Sequence, residues 1–182
     1  MKKGFTLLEL LIVIGILAIL ATVVALVLNP AELLRQARDS QRLSDLRTIN
    51  SALGLWFASA SSTSIASATT TCTYGTTQVD GTGTCTQNQV TTVNGAGWIY
   101  GIDFSFVPGG SPLARLPLDP SNGATYHYDF SVTTSGTYEF NANMESARYA
   151  SGGSADVESN TKDGGTVDAA YEIGTDPALD LM

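Results

Sequence analysis

The sequence is poor in the residues on which most enzyme active sites depend. Among 182 residues it has one histidine, His127, and two cysteines. Histidine is the side chain that most often transfers protons near neutral pH, and none of the common catalytic or phosphate-binding patterns is present. His127 lies on the polar face of a predicted strand, where an exposed structural histidine is expected. We therefore predict that the chain is not an enzyme, has no catalytic residues and uses no cofactor.

Positive charge is scarce after residue 48. From residue 49 onward, three lysine or arginine side chains stand against thirteen aspartates and glutamates, a net charge of −10. Such a domain repels phosphate backbones, so no nucleic acid partner is predicted. The last acidic residues are Asp156, Glu158, Asp163, Asp168, Glu172, Asp176 and Asp180. Oxygen ligands suit calcium, but the Asp-x-Asp-x-Asp-Gly loop spacing is absent, so a solvated acidic tail is predicted and no metal ligands are assigned.

Charge is also nearly absent from a long N-terminal run. Residues 5–28 carry no formal charge except that of Glu9. As a helix this run is about 36 Å long, enough to cross a hydrocarbon core about 30 Å thick. A charge inside such a segment costs about 2.5–3.5 kcal/mol at the bilayer centre and less near its ends, so Glu9 needs a partner. Lys2 and Lys3 place the N-terminus on the cytoplasmic side.

A cleaved N-terminus would supply that partner. Gly4 has no side chain, which suits a narrow protease subsite, and cleavage between Gly4 and Phe5 would free an α-amino group close to Glu9. Such a group is cationic at neutral pH, with a pKa of about 8, and could pair with Glu9 of its own or a neighbouring chain. An ordinary signal anchor leaves Gly4 and Glu9 unexplained, and a secretory signal peptide has a shorter apolar core.

The segment Lys3-Gly4-Phe5-Thr6-Leu7-Leu8-Glu9, followed by an apolar run, resembles the class III signal of type IV pilins and of type II secretion pseudopilins. The resemblance covers residues 1–28. It implies that a prepilin peptidase cuts after Gly4, that Phe5 is N-methylated, and that Glu9 registers each subunit against its neighbour. The implied partners are identical or related pilin subunits, the peptidase, an inner-membrane assembly platform and, before assembly, the lipid bilayer.

A second helical pattern follows the apolar run. Asn29 is a predicted N-cap and Pro30 a predicted first helical residue, so the helix restarts with a kink. One apolar stripe at helical spacing is formed by Leu46, Ile49, Leu53 and Trp56. The opposite face, predicted to be solvated, carries Glu32, Arg35, Arg38, Asp39, Arg42, Asp45 and Arg47. The spacing predicts the ion pairs Arg35–Asp39 and Asp39–Arg42. In pilins part of this region also packs against other subunits.

Residues 59–97 are dense in serine, threonine and glycine and are predicted to form a long surface loop. Both cysteines, Cys72 and Cys85, lie in this stretch. Thiols exported to an oxidising compartment normally pair, and a bridge here is worth about 3 kcal/mol in the loop-entropy model. Without a local histidine cluster the two cysteines make a poor zinc site, so a structural disulfide is predicted.

Residues 126–144 alternate between apolar and polar side chains and predict a β-hairpin, with its turn at residues 133–136. Residues 98–107 predict an earlier, less regular strand. A three- or four-stranded antiparallel sheet laid on the second helix would bury both apolar faces. The predicted class is therefore α+β, with a long N-terminal helix packed on a small antiparallel sheet. The family resemblance implies the same type IV pilin-like plan.

The predicted organisation has five segments: a leader at 1–4, a transmembrane or filament-core helix at 5–28, an amphipathic helix at 29–58, the disulfide loop at 59–97, and a β-sheet head with an acidic tail at 98–182. The expected function is that of a structural subunit of a type IV pilus or pilus-like filament. The precursor would lie in the inner membrane and the filament outside the cell or in the periplasm. A type II secretion pseudopilin and a membrane-anchored, adhesin-like binding module remain as alternatives.

Overall fold

The protein is represented by a computed structural model that describes residues 4–60, 65 and 67–182. The first three residues of the predicted leader and residues 61–64 and 66 of the predicted loop lie outside the described residues. The chain divides into two compact units, Met1–Arg35 and Gln36–Met182, and we call the second unit the head.

Two long helices, α1 at Leu7–Leu28 and α2 at Pro30–Ser59, occupy the first part of the chain. Asn29 ends α1 in the left-handed region, with φ of 40°. Its carbonyl oxygen then accepts the amide of Glu32 at 3.0 Å, in the first turn of α2. Pro30 fits the first position of α2 because that residue has no amide partner to lose. The interruption thus falls at the predicted Asn29-Pro30 restart.

The predicted apolar stripe of α2 lies in the core of the head. Its members, each at most 1% exposed, are Leu46, Ile49, Leu53 and Trp56. The indole Nε1 of Trp56 donates to the carbonyl oxygen of Asp103 at 2.8 Å. The hydroxyl of Tyr138, in the sheet, donates to Asn50 Oδ1 at 2.8 Å. Polar ends of buried aromatic residues therefore fix α2 against the rest of the head.

Five strands form one sheet in the order β2-β1-β3-β4-β5. They are β1 at Thr69–Cys72, β2 at Thr86–Gln87, β3 at Asp129–Val132, β4 at Tyr138–Ala142 and β5 at Tyr171–Gly174. All neighbours pair antiparallel except β1 and β2, which are parallel. The predicted α+β class with a mainly antiparallel sheet is confirmed, although the sheet has five strands where the sequence predicted three or four.

The predicted loop over residues 59–97 contains two of these strands, so that prediction is wrong for β1 and β2. Within the sheet β1 lies between β2 and β3, and Thr70 Oγ1 and Ser131 Oγ are 3.0 Å apart across the β1–β3 pair. Threonine is β-branched and favours strands when a neighbouring strand is available. The serine and threonine content that predicted a solvated loop is equally compatible with a paired strand.

The predicted strand over residues 98–107 is also absent from the structure. This segment forms turns and a short 3-10 helix, Phe104–Phe106. Gly101 has φ of +82°, and its amide donates to the carbonyl of Gly95 at 3.0 Å, which closes a turn. Trp98 lies in these turns, and its side chain is fully buried. Ile99, Ile102, Phe104 and Val107 also reach the core from this segment, whereas Tyr100 and Phe106 are exposed, and the segment's pairing is limited to one isolated bridge between Asn94 and Asp103.

The sequence predicted that the charged face of α2 is solvated, but part of this face is buried. Arg42 and Asp39 are fully buried. The Arg42 guanidinium donates to Asp119 at 2.5 and 2.9 Å, to Asp39 at 2.7 Å and to Glu145 at 2.5 Å. Burial alone would lower the pKa of Arg42, but the hydrogen bonds and charges of these three carboxylates raise it. The buried cluster joins α2 to two later segments of the head.

Two other charges of α2 have partners different from those expected. Arg35 contacts Glu32 at 3.7 Å, in place of the predicted pair with Asp39. Asp45, which is partly buried, accepts a hydrogen bond from the Tyr128 hydroxyl at 3.0 Å. The helical spacing therefore identified the charged face but did not determine which of its residues contact the sheet.

The predicted acidic tail contains regular structure, namely β5 and a short helix α3 at Asn160–Asp163. Two of its glutamates, Glu158 and Glu172, are 4% and 1% exposed, so a fully solvated tail is wrong. Glu158 accepts the amides of Met144 at 2.6 Å and of Ser151 at 3.0 Å. Burial raises the pKa of Glu158 to about 7. This carboxyl group belongs to the interior of the head.

Candidate functional site

The surface of α1 is apolar and exposed on every side. Each α1 side chain whose environment the structure describes is exposed, and Phe5, just before the helix, is 83% exposed. The stretch Leu7–Ala25 is long and apolar enough to cross a membrane. The 22 residues of α1 span about 33 Å. Apolar surface of this extent must be covered by lipid or by other protein chains.

The one carboxylate of α1 is part of the cap that begins the helix. Thr6 donates to Glu9 Oε2 twice, from its amide and from its hydroxyl, each at 2.8 Å. In return the Glu9 amide donates to Thr6 Oγ1 at 3.2 Å. This is a capping box, in which two orphan donors of the first helical turn are satisfied. The structure thus holds the Glu9 side chain against the end of the chain from which cleavage would release an amine.

Comparison with known families agrees with this geometry. Residues 1–25 match the model of the prokaryotic N-terminal methylation motif. The chain carries a prokaryotic N-terminal methylation motif. This motif is the class III signal peptide of type IV pilins. The comparisons with curated proteins and with solved structures give no significant match.

The methylation motif has consequences that do not depend on the rest of the chain. It supports a precursor of the type IV pilin or pseudopilin kind, and it indicates a structural protein in place of an enzyme. It implies processing by a prepilin peptidase and polymerisation of the pilin type. Together with the apolar α1 it also indicates a membrane-anchored precursor.

Gly4 and Phe5, the predicted cleavage site within the motif, precede α1 and have no regular secondary structure. A Cβ atom built on Gly4 would meet nothing within 4 Å. Nothing in the described chain therefore requires glycine at this position. The predicted leader residues Met1, Lys2 and Lys3 lie outside the described residues.

Thr6 is the residue of the motif whose role the sequence interpretation missed. The spacing Thr6-x-x-Glu9 is the ordinary signature of a capping box and was readable from the sequence. The charge of Glu9 points to a cationic partner such as the amine of residue 5, and the uncharged hydroxyl of Thr6 gives no such signal. Glu9 can accept from Thr6 and from an amine at the same time. The two Thr6 donors both reach Oε2, so the Oε1 atom of Glu9 remains for another donor.

The predicted cysteine pair forms a disulfide in the head. The Cα atoms of Cys72 and Cys85 are 5.7 Å apart, and the bond closes a loop between residues 13 positions apart. Asp129 lies beside the two sulfur atoms. Because both sulfurs are used in the disulfide, this group of three side chains is not a thiolate metal site.

His127, for which an exposed position was predicted, is only 1% exposed, so that prediction is wrong. Its Nδ1 lies 3.0 Å from the carbonyl of Gly123, and its Nε2 lies 3.2 Å from the carbonyl of Thr77 and 3.2 Å from Asp129 Oδ1. Burial alone would lower the pKa of His127, but Asp129 and the two carbonyls raise it. With a carbonyl acceptor near each ring nitrogen, His127 links the loop closed by the disulfide, at Thr77, to the segment at Gly123.

Proposed function

We propose that the chain is the precursor of a structural subunit of a type IV pilus or pilus-like filament. In this account a prepilin peptidase cuts between Gly4 and Phe5, the new amine of Phe5 is methylated, and the subunits polymerise through α1. The observation that carries the proposal is an exposed, apolar α1 whose single charge, Glu9, sits beside the predicted cleavage site.

Before assembly, the bilayer covers the apolar surface of α1. Lys2 and Lys3 keep the N-terminus in the cytoplasm, so the head lies on the far side of the inner membrane. An assembly platform in that membrane is the expected partner of the processed chain. In the filament, sister copies of α1 replace the lipid, and the gain comes from close packing of apolar helices.

Glu9 would set the register of that packing. A buried carboxylate without a partner is costly, so arrangements in which Glu9 lacks a cation are disfavoured. The α-ammonium group of Phe5 in a neighbouring subunit supplies the charge, and the Oε1 atom that the capping box leaves over supplies the acceptor. The capping box with Thr6 orients the carboxylate before the neighbour arrives.

The charge and the cap can be separated by substitution. Glutamine at the third helical position can still complete a capping box, but it has no negative charge. We expect Glu9→Gln and Glu9→Ala to reduce filament yield by about tenfold or more, because either change removes a preference of about 1.4 kcal/mol or more for the correct register. Yield is measured by electron microscopy and by quantifying the protein in the sheared fraction of cells.

Glu32→Gln is the matched control, because it removes one carboxylate from the same unit but from outside α1. We expect wild-type yield from it and normal membrane levels of all three variants. Wild-type filaments from Glu9→Gln would show that capping, and not charge, is what assembly requires. If none of the chains, including the unsubstituted one, forms long surface fibres, the pseudopilin alternative is favoured.

A further inference from the structure

Three oxygen atoms surround the imidazole ring of His127, just before β3. The Nδ1 atom lies 3.0 Å from the carbonyl oxygen of Gly123. The Nε2 atom lies 3.2 Å from the carbonyl oxygen of Thr77 and 3.2 Å from Asp129 Oδ1. A neutral imidazole has one N–H donor, whereas the protonated ring has two. Only the protonated ring can therefore donate a hydrogen bond from both nitrogens in this arrangement.

A neutral His127 would leave one ring nitrogen with its lone pair facing a carbonyl oxygen. The residue is 1% exposed, so water does not readily supply the donor that is lost. A buried acceptor without a donor is unfavourable. The contacts therefore favour the protonated ring, whichever nitrogen would keep the proton in the neutral form.

Asp129 connects this ring to the middle of the loop closed by the disulfide, residues 73–84. Its Oδ2 atom accepts the amide of Val79 at 2.6 Å, while its Oδ1 atom faces His127. Asp129 is fully buried, and among the described ion pairs only the one with His127 includes it. The charge of the ring therefore stabilises the carboxylate that holds the loop.

The surroundings of the pair contain two other titratable side chains. Burial, with the charge of Asp80 in the same loop, raises the pKa of Asp129, and the contact with His127 opposes this rise. The Tyr74 ring centroid lies 6.5 Å from that of the imidazole. The two cysteines are oxidised and do not titrate. A surface cavity of about 160 Å³, lined in part by Tyr74 and Thr77, reaches His127 and gives protons a route to the ring.

We propose that His127 and Asp129 form a pH-sensitive switch that controls how tightly the loop closed by the disulfide is held against β3. In the closed form His127 is a cation that donates to Gly123 and Thr77, and Asp129 is a carboxylate that accepts the Val79 amide. Loss of the ring proton removes one donor and the charge that stabilises Asp129, so the loop opens more often. The disulfide keeps the ends of the loop together, so the opening is local.

The direction of the pH dependence follows from the surroundings of the ring. Burial lowers the pKa of His127, but the contacts with Asp129, Gly123 and Thr77 raise it above the ordinary value. The stabilising contribution of the ring is therefore complete below the ordinary pKa of about 6.5, and it is lost as the pH rises through the higher pKa of the folded chain. The proposal concerns a single chain and does not depend on filament formation.

The competing explanation places the proton on Asp129. A protonated Asp129 would donate to Nε2 of a neutral ring, and the Thr77 carbonyl oxygen would then lack a donor. NMR of the ring nitrogens distinguishes the two, and His127 is the only histidine in the sequence, so its signals need no further assignment. The sample is the full chain, labelled with nitrogen-15, in detergent micelles. We expect a proton on each ring nitrogen at about pH 6 and a pKa above the ordinary value. A neutral ring at that pH would overturn the proposal.

Amide hydrogen exchange tests whether the ring controls the loop. The reporters are the amides of Val79 and of Cys85, which donates to the Thr76 carbonyl at 3.1 Å. The amides of the β3–β4 hairpin serve as the internal reference. After correction for intrinsic exchange rates, we expect the loop amides to lose about tenfold more protection than the hairpin between about pH 6 and about pH 9.

A local measurement is required because other groups titrate in the same range. Burial raises the pKa of Glu158 to about 7 and that of Glu172 to about 8, so the stability of the whole head also changes with pH. Exchange that accelerates equally in the loop and in the hairpin would therefore contradict the switch.

Variants separate the ring from its partner. His127→Gln cannot titrate, so its loop should be weakly protected and, relative to the hairpin, independent of pH. Asp129→Asn still offers an oxygen to the Val79 amide but has no charge, and it should lower the pKa of His127. Asp180→Asn removes an exposed carboxylate elsewhere and should change neither property. An unchanged pKa of His127 in Asp129→Asn, or a loop that still responds to pH in His127→Gln, would overturn the proposal.

Discussion

At the scale of single residues, Arg42 gives the head one of its strongest internal connections. Its guanidinium is fully buried and bonded to Asp39 on α2 and to Asp119 and Glu145 in later segments. The Tyr126 ring also lies 5.0 Å from the guanidinium carbon. One long side chain therefore contacts three carboxylates. Of these, Glu145 also accepts from Arg38 Nε at 2.8 Å, whereas Asp39 and Asp119 have Arg42 alone among the described ion pairs.

Replacing Arg42 with methionine should destabilise the head strongly. The change leaves the buried carboxylates of Asp39 and Asp119 without a cation, which costs about 3–5 kcal/mol, while Glu145 keeps its contact with Arg38. For a chain of this size the Tm should fall by about 10 °C, as measured by differential scanning calorimetry in detergent. Arg35→Met is the control, because Arg35 is half exposed and its contact with Glu32, at 3.7 Å, is long for an ion pair. The Tm of this variant should be nearly unchanged. Equal Tm values for the two variants would contradict the role of Arg42.

At the scale of elements, the disulfide supports the shortest strand of the sheet. Cys72 ends β1 and Cys85 immediately precedes β2, which has only two residues. The amide of Asn88 donates to the carbonyl of Cys72 at 2.8 Å just beyond the parallel pair. Two residues of strand pairing cannot order the intervening loop by themselves, so the covalent link supplies much of that order.

Replacing both cysteines with alanine should therefore lower the stability of the head and loosen β2 in particular. The expected loss is about 3 kcal/mol, or a fall in Tm of about 6–12 °C. Hydrogen exchange of the Asn88 amide should accelerate more than that of amides in β3 and β4, because the β3–β4 hairpin does not depend on the link. An unchanged Tm together with unchanged protection of Asn88 would contradict this account.

The elements that could be predicted from sequence are those with a local signal. The 3.6-residue stripe of α2 and the two-residue alternation of the β3–β4 hairpin each appear within one short stretch of chain. By contrast, β5 is four residues long and exists because β4 is beside it, which no local pattern shows. The same holds for residues 98–107, where most of the large apolar side chains are buried although the segment forms turns.

Burial of polar side chains was the least predictable feature. Sequence places Arg42 and His127 on polar faces and Glu172 in an acidic tail, and both kinds of position are usually solvated. Arg42 and His127 are buried because a segment distant in sequence covers each of them, residues 119 and 145 at Arg42 and the disulfide loop at His127. Glu172 is covered by the nearby loop at residues 165–167. Such coverage depends on the tertiary structure, so composition and spacing cannot reveal it.

At the scale of the whole molecule, the two compact units differ in what they leave exposed. In the unit Met1–Arg35 the described residues of α1 expose apolar surface throughout. The head has a core of its own, and from residue 49 onward the chain carries a net charge of −10. This difference suits a subunit in which one part is covered by lipid or sister helices while the other remains in water.

The central claim is that the N-terminus is processed. Intact-mass spectrometry of the protein, extracted from native membranes and from sheared filaments, tests this claim. We expect that the filament protein lacks residues 1–4, that it carries one added methyl group on Phe5, and that its two cysteines are oxidised. A filament or membrane protein that retains its initiating methionine and unmodified leader would contradict the central claim.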